Sequence, residues 1–351
     1  MKCLRVQIFA GLLLTASSNA ALAQAQPAPQ SPTGGTVPVT PDNFNRAETD
    51  LYFSGSVKQD GLGKFQHFRE PTPLDRQNVI RMNRDTLYSL SVFDLDAGPV
   101  TVALPDAGQR FMSMQVIDED HYTPEVIYGA GSHTFTREKI GTRYVSLGVR
   151  ILVDPGDPQD IKQVHALQDA ITATQPGGPG RFEMPNWDQV SQKKVRDALL
   201  ALAATLSDTK RTFGARDKVD PVRHLIGTAF AFGGNPEKDA LYLNTTPSKN
   251  DGTTVYRLSV KDVPVDAFWS ISLYNAEGHF QKNPFDAYTL NSITAKKSAD
   301  GGVTVQFGGC DGKVPNCLPI MGGWNYMVRL YRPRAEVLNG AWTFPEAQPV
   351  N

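Results

Sequence analysis

The sequence predicts a mainly β protein with an α insertion: two antiparallel, jelly-roll-like β-sandwich domains bridged by a helical segment. Three observations carry this expectation. Apolar residues alternate with period two over 86–153 and again over 240–331. The stretch between them switches to helical spacing. The chain, at 351 residues, also exceeds what one hydrophobic core usually organises.

The expected order begins with export. Lys2 and Arg5 precede the apolar stretch "IFAGLLLTA", and "ALA" at 21–23 puts small residues ahead of Gln24, the pattern of a signal peptide over 1–23. The apolar run is too short to span a bilayer, and no later stretch reaches the roughly 20 apolar residues of a membrane helix. Cys3 lies ahead of the run, so lipid anchoring is not expected. Residues 24–40, "QAQPAPQSPTGGTVPVT", read as a flexible linker. The mature chain is expected in the periplasm or secreted. It keeps 33 basic against 36 acidic residues, a net charge of −3, which argues against nucleic acid or an anionic membrane as partner.

The first domain is expected over 41–157. "PDNFNRAETDLYF" reads as a helix capped by Asp42, with Phe44, Ala47, Leu51 and Tyr52 as its apolar stripe. "TLYSLSVFDL", "PVTVALP", "QRFMSMQVI", "EVIYGAG" and "TRYVSLGVRILVD" follow as strands; in the last, Val145, Leu147, Val149, Ile151 and Val153 share one face and Tyr144, Ser146 and Arg150 the other. Consecutive short strands separated by turns favour an antiparallel sandwich over a parallel sheet.

A helical connector is expected over 158–234. Asp157 caps and Pro158 starts a helix that spaces Ile161, Val164, Leu167 and Ile171 along one face. "NWDQVSQKKVRDALLALAATL" repeats the spacing through Val195, Leu199, Leu202 and Leu206. Asp220 caps a third helix, which Gly233 and Gly234 end. The second domain, 235–351, holds the strands "ALYLNT", "TTVYRLSV", "DAFWSISLYN", "AYTLNSIT", "GGVTVQFGG" and "WNYMVRLYRP". In the last of these Trp324, Tyr326, Val328 and Leu330 form a core face, and Asn325, Met327, Arg329 and Tyr331 a polar and aromatic face suited to lining a cleft between the sandwiches. Cys310 and Cys317 remain after the signal peptide; an oxidising compartment and their spacing favour a disulfide, and a metal pair lacks further Cys or His nearby.

Familiar catalytic signatures do not occur: there is no G-x-S-x-G, H-E-x-x-H, G-x-x-x-x-G-K-[ST] or G-x-G-x-x-G. Chemistry must come from less regular clusters. "RMNRDTLYS" brings Asn83, Arg84, Asp85 and Tyr88 to the mouth of a strand, where a guanidinium held by a carboxylate makes an anion site; the bland alternative is a surface ion pair. "DEDHY" sets His121 beside Asp120, the ingredients of a general base, with a solvated acidic turn as the competing reading. Asp118 and Asp120 also offer hard oxygen ligands to a divalent cation; no other cofactor is expected. His67 and Arg69 in "HFRE" share a side if extended, and bind either an anion or backbone carbonyls.

Several of these runs resemble a known pair of domains. "NFNRAETDLYF", "NVIRMNRDTLYSLSVFDL", "EDHYTPEVIYG" and "GTRYVSLGVRILVDPGDPQD" resemble the bacterial DUF1254 domain. "DVPVDAFWSISLYNAEGHF", "FGGC", "NCLPI" and "GWNYMVRLYRP" resemble DUF1214; together these runs span roughly residues 40–348. The resemblance implies two sandwiches with a helical insertion and supplies no reaction. The motif positions it carries over are Asn83, Arg84, Asp85, Tyr88, Trp269, Tyr274, Asn325, Arg329 and Tyr331.

The functional expectation is an exported enzyme of hydrolytic type, acting on a small or oligomeric polar or anionic substrate in a cleft near the first sandwich. His121, Asp120 and Asp85 are its acid–base groups, and Arg84, Asn83, Tyr88, His67, Arg69, Tyr274, Asn325, Arg329 and Tyr331 contact the ligand, a small molecule or oligosaccharide. The alternative is a non-catalytic periplasmic binding or envelope-associated protein. Homo-oligomer formation stays open.

Overall fold

The structure is a computed structural model and describes residues 35–350 apart from 78 and 79. The signal peptide expected over 1–23, with Cys3, lies outside the described residues, as does most of the expected linker. The linker's end is docked rather than free: Val37 forms a parallel bridge with Trp187, and Val39 is buried.

The chain is mainly antiparallel β-sheet with six helices among the described residues. Five strands form one sheet in the spatial order Gln66–Phe68, Thr86–Asp94, Tyr144–Leu152, Met112–Asp118, Glu125–Tyr128. Against it packs a three-stranded sheet of Gly131–Phe135, Val100–Leu104 and Thr172–Thr174. Alternation decides the faces: Leu87, Phe93, Val145, Leu147, Val149 and Ile151 meet Val100, Val102, Leu104 and Phe135 in a closed core. The opposite face of the large sheet carries Tyr88 paired across from Arg150, and Leu90 across from Gly148.

In the second sandwich, Thr289–Asn291, Trp269–Tyr274, Asn325–Tyr331 and Ala240–Thr245 form one sheet, and Cys317–Leu318, Val303–Phe307, Tyr256–Val260 and Gln348–Pro349 the other. The expected core face holds: Trp324, Tyr326, Val328 and Leu330 pack with Trp269, Ile271, Leu273, Val305 and Phe307. Among the described strands one pairing is parallel, Val303–Phe307 with Cys317–Leu318, and it is closed by the Cys310–Cys317 disulfide.

The helices follow the caps. Asp157 accepts from the Gln159 N–H at the start of Pro158–Asp169, and Asp220 from the Val222 and Arg223 N–H groups at the start of Pro221–Phe230. Two expectations need correcting. The connector contains a strand, Thr172–Thr174, that completes the first sandwich, so that domain runs past 157. The helix Phe44–Lys58 begins after Asn43, and its buried face holds Glu48, Asp50 and Phe53, whereas Leu51 and Tyr52 turn outward. Glu48 can be buried because Arg196 and Gln192 bind it; Trp187 does the same for one Asp50 oxygen.

Candidate functional site between the sandwiches

The two sandwiches meet through a seam that is apolar at one end and polar along the rest. Phe111, Leu152, Ala240, Phe268 and Tyr331 close the apolar end, with Phe268 and Tyr331 stacked 4.2 Å apart. Beyond it the outward face of the second sandwich presents Ser270, Ser272, Tyr274, Asn291 and Arg329, all buried, because period-two alternation sets them opposite the core side chains. A buried polar sheet face needs partners, and the first domain brings them.

Residues 81–85 are the bridge. Arg81 adopts a positive φ, its N–H donates to the Gly278 carbonyl, and its guanidinium reaches Asn244. The Arg329 guanidinium donates to Ser272 Oγ at 2.8 Å, Tyr274 Oη at 2.8 Å and the Arg81 and Met82 carbonyls at 2.8 and 3.3 Å. Burial works against that charge, but the Tyr274, Tyr331 and Asp85 oxygens outweigh it and hold the Arg329 pKa above its usual range. Asp85 is fully buried; its Oδ1 accepts from Thr289 Oγ1 at 2.9 Å and Asn291 Nδ2 at 3.2 Å. Its Oδ2 and Ser270 Oγ have no partner among the described residues.

Asn83 ties the two domains chemically. Its side-chain amide donates to Tyr88 Oη at 3.2 Å and to Tyr331 Oη at 3.1 Å, while its Oδ1 accepts the Asp85 N–H. The two phenols differ in environment. Burial raises the Tyr88 pKa, but the Arg150 charge, with the polar groups of Thr86, Arg150 and Asn83 around the phenol, outweighs it, so Tyr88 is more acidic than a free tyrosine. Tyr331 is pushed well above the usual tyrosine range by burial and by the neighbouring Tyr242 and Tyr88.

Arg150 is the residue sequence reasoning missed. It donates to Gln115 Oε1 at 2.7 Å and the Gly233 carbonyl at 3.1 Å, and its guanidinium lies 5.5 Å from the Tyr88 ring centre. Neither Arg150 nor Arg329 makes an ion pair with a carboxylate among the described residues, so two guanidinium charges sit deep in the protein without a full counter-charge. The signal was present in the strand 144–152, where Arg150 interrupts the small and aromatic residues of the outward face. Asn83, Tyr88, Leu90, Gly148, Arg150 and Tyr242 are only half-buried, although Tyr88 and Arg150 lie deep within the protein. Side chains that are deep yet keep accessible surface line a hollow. Gly148 makes room for the Leu90 side chain, which a Cβ there would meet at 3.3 Å.

The other expected residues lie elsewhere. His121, Asp120 and Asp85 are not assembled, and their side chains share no hydrogen-bond partner. The His121 ring is buried and neutral: Nε2 accepts the Gly233 N–H at 2.8 Å, so Nδ1 carries the proton toward Thr228 Oγ1 at 2.8 Å. Burial and the adjacent His224 hold its pKa well below the usual range. It braces the turn whose Gly233 carbonyl receives Arg150. Asp120 is held by Arg46 and Arg216, and Asp118 Oδ1 by two backbone N–H groups, so the two do not join as cation ligands. Arg84 turns from Asp85 to the Thr72 carbonyl and stacks over Tyr288. His67 bonds Ser89, and Arg69 clamps the helix Pro158–Asp169 through Asp169 and the His165 carbonyl. Asn325 donates to the Asn275 carbonyl, away from the cluster.

This is a two-sandwich protein with a polar, arginine-containing cluster at the domain seam. Residues 62–175 match the family model DUF1254 and residues 239–335 the model DUF1214, each described as a protein of unknown function. The chain thus carries a DUF1254 domain followed by a DUF1214 domain. Among solved structures it resembles the VPA0106 protein from Vibrio parahaemolyticus, at 19% identity over 88% of this chain and 98% of that one, with a TM-score of 0.70. A protein from Burkholderia cenocepacia aligns over 88% of each chain at 13% identity and a TM-score of 0.49. No curated protein matches the chain.

Proposed function

We propose that the protein is an exported acid–base enzyme that hydrolyses a small anionic substrate held in the hollow between its sandwiches. One observation carries the reading: two phenols share the Asn83 amide, and their surroundings push their acidities apart. Such a split is how a site separates a base from an acid. Tyr88 takes the proton from the attacking water, Tyr331 gives one to the leaving group, and Arg150 holds the substrate anion. Export accords with the Cys310–Cys317 bridge and with the charged, apolar and small-residue succession over 1–23.

A thermal-shift and turnover screen of small carboxylate and phosphate esters tests it. A ligand at 100 times its dissociation constant stabilises by about 2.7 kcal/mol. Arg150→Met should abolish the shift, and Tyr88→Phe should abolish turnover while preserving it. A screen with no stabilising anion, or a hit insensitive to Arg150→Met, rejects the reading. The rival, a non-catalytic binding protein, is favoured by the doubly bonded, neutral His121; a shift without turnover in the wild type would select it.

A further inference from the structure

A second cavity lies on the first domain, and none of its lining residues belongs to the seam cluster. It encloses 330 Å³ and is lined by Arg46 and Asp50 of the helix Phe44–Lys58, by Glu119, by Arg143, and by Glu183 and Trp187 of the extended segment before Gln189–Ala203. Its arginines are already engaged. Arg46 binds the Glu119 carbonyl and Asp120, and Arg143 binds Asp94 and Glu183. Arg137, at the rim, pairs with Asp96. The group left over is an acceptor. Asp50 is 2% exposed, its Oδ2 takes the Trp187 indole N–H at 2.8 Å, and its Oδ1 has no partner among the described residues.

A buried carboxylate oxygen without a donor is costly, and the cost falls when a ligand supplies an N–H. Charge selects the kind of donor. The lining is balanced, with Arg46, Arg137 and Arg143 against Asp50, Glu119 and Glu183, and with the residues paired to these, Asp94, Asp96, Asp120, Arg181 and Arg216, six carboxylates face five arginines. Trp187, whose indole N–H holds Asp50 Oδ2, lines the same cavity and supplies an aromatic wall beside the carboxylate. We propose that this cavity binds the primary ammonium group of a small organic amine, with Asp50 as the counter-ion and Trp187 as the wall.

The charged groups acting on Asp50 are Arg46 on its own helix and Glu119 and Asp120 on the turn after Met112–Asp118; Arg143 and Glu183 line the same cavity. Burial is the largest influence, the Trp187 bond opposes it, and the net effect pushes the Asp50 carboxyl up to about 6. The site therefore requires Asp50 to lose its proton before the amine is held strongly.

Titration calorimetry of the full chain with 1,5-diaminopentane, and with 1,5-pentanediol as neutral control, tests the assignment. The diamine stays protonated at both pH values used, since alkyl ammonium groups titrate near 10. It should bind at pH 7.5, the diol should not, and affinity should fall about tenfold at pH 5, where about a tenth of a carboxyl of pKa 6 is ionised. Asp50→Asn keeps an acceptor for the indole N–H and should lose at least tenfold in affinity and all the pH dependence. Glu119→Gln, which removes a neighbouring negative charge, should move the midpoint of the pH dependence downward, giving a readout even if Asp50→Asn unfolds. Absence of diamine binding, equal binding of the diol, or a pH midpoint unmoved by Glu119→Gln overturns the assignment.

Discussion

Replacing Arg329 with Met removes the charge that fastens residues 81–82 to the second sandwich while keeping most of the side-chain volume. The structure sets the size of the effect. Tyr274 keeps its bond to the Met82 carbonyl and Ser272 keeps Thr289, so three of the four partners stay satisfied. The Arg81 carbonyl loses its donor, and two charge-assisted bonds to hydroxyls vanish, while one guanidinium no longer needs to be desolvated. Balancing an orphaned carbonyl and lost ionic bonds against the relief of burial gives a net loss of about 3 kcal/mol. With a slope of about 3 kcal/mol per molar urea for a chain of this size, the unfolding midpoint should drop by about 1 M. Hydrogen exchange read residue by residue should show the amides around 81–85 losing protection first. An unchanged midpoint, or faster exchange confined to the distant sheet of the first sandwich, would refute the claim that Arg329 is the fastening.

Three further outcomes are expected. Asp118 is buried and its carboxyl is pushed up to about 7, chiefly by burial, so the folded state prefers it protonated; that preference is fully present below pH 4 and lost as pH rises through about 7. Asp118→Asn should therefore raise stability by about 2–4 kcal/mol at pH 8 and leave it unchanged near pH 4, as melting at the two pH values would show. Reducing the Cys310–Cys317 bridge, or replacing both residues with Ser, opens a short loop and should cost about 2.5 kcal/mol in urea unfolding, with no change if the loop is already fixed by Asp311 and its turn. His121→Leu should unpair the Gly233 N–H, leave the Thr228 hydroxyl only its bond to the His224 carbonyl, and lower stability by about 2 kcal/mol; intact stability with lost turnover would instead give the imidazole a chemical role.

The parts of the fold legible in the sequence are those governed by local periodicity. Trp324, Tyr326, Val328 and Leu330 alternate because one sheet face is core, and Asp157 and Asp220 cap helices because their side chains reach N–H groups two or three residues on. Phe44–Lys58 misled the reading because its buried face holds Glu48 and Asp50, whose partners Arg196 and Trp187 lie more than a hundred residues away. The same limit applied to the site. Asn83, Asp85 and Tyr88 stand together in the chain, but Arg150 and Tyr242, the latter bonded by the Asn235 amide at 2.8 Å, join them only through tertiary packing. His121 looked chemical beside three acids, yet the atoms that bind its ring come from 228 and 233.

The bond between Asn83 and Tyr331 spans 248 positions. During synthesis the first sandwich can close once Thr172–Thr174 has emerged, long before Asn325–Tyr331 leaves the ribosome, because domains form in order from the N-terminus. Until then Asn83 lacks Tyr331, and the Arg81 and Met82 carbonyls lack Arg329. A chain cut short by its final tenth would retain every residue up to Pro315, along with a folded first half, and would still lack Arg329 and Tyr331. Any partial product of this kind lacks the second sandwich's share of the seam cluster, which is complete only once residues 325–331 have been made.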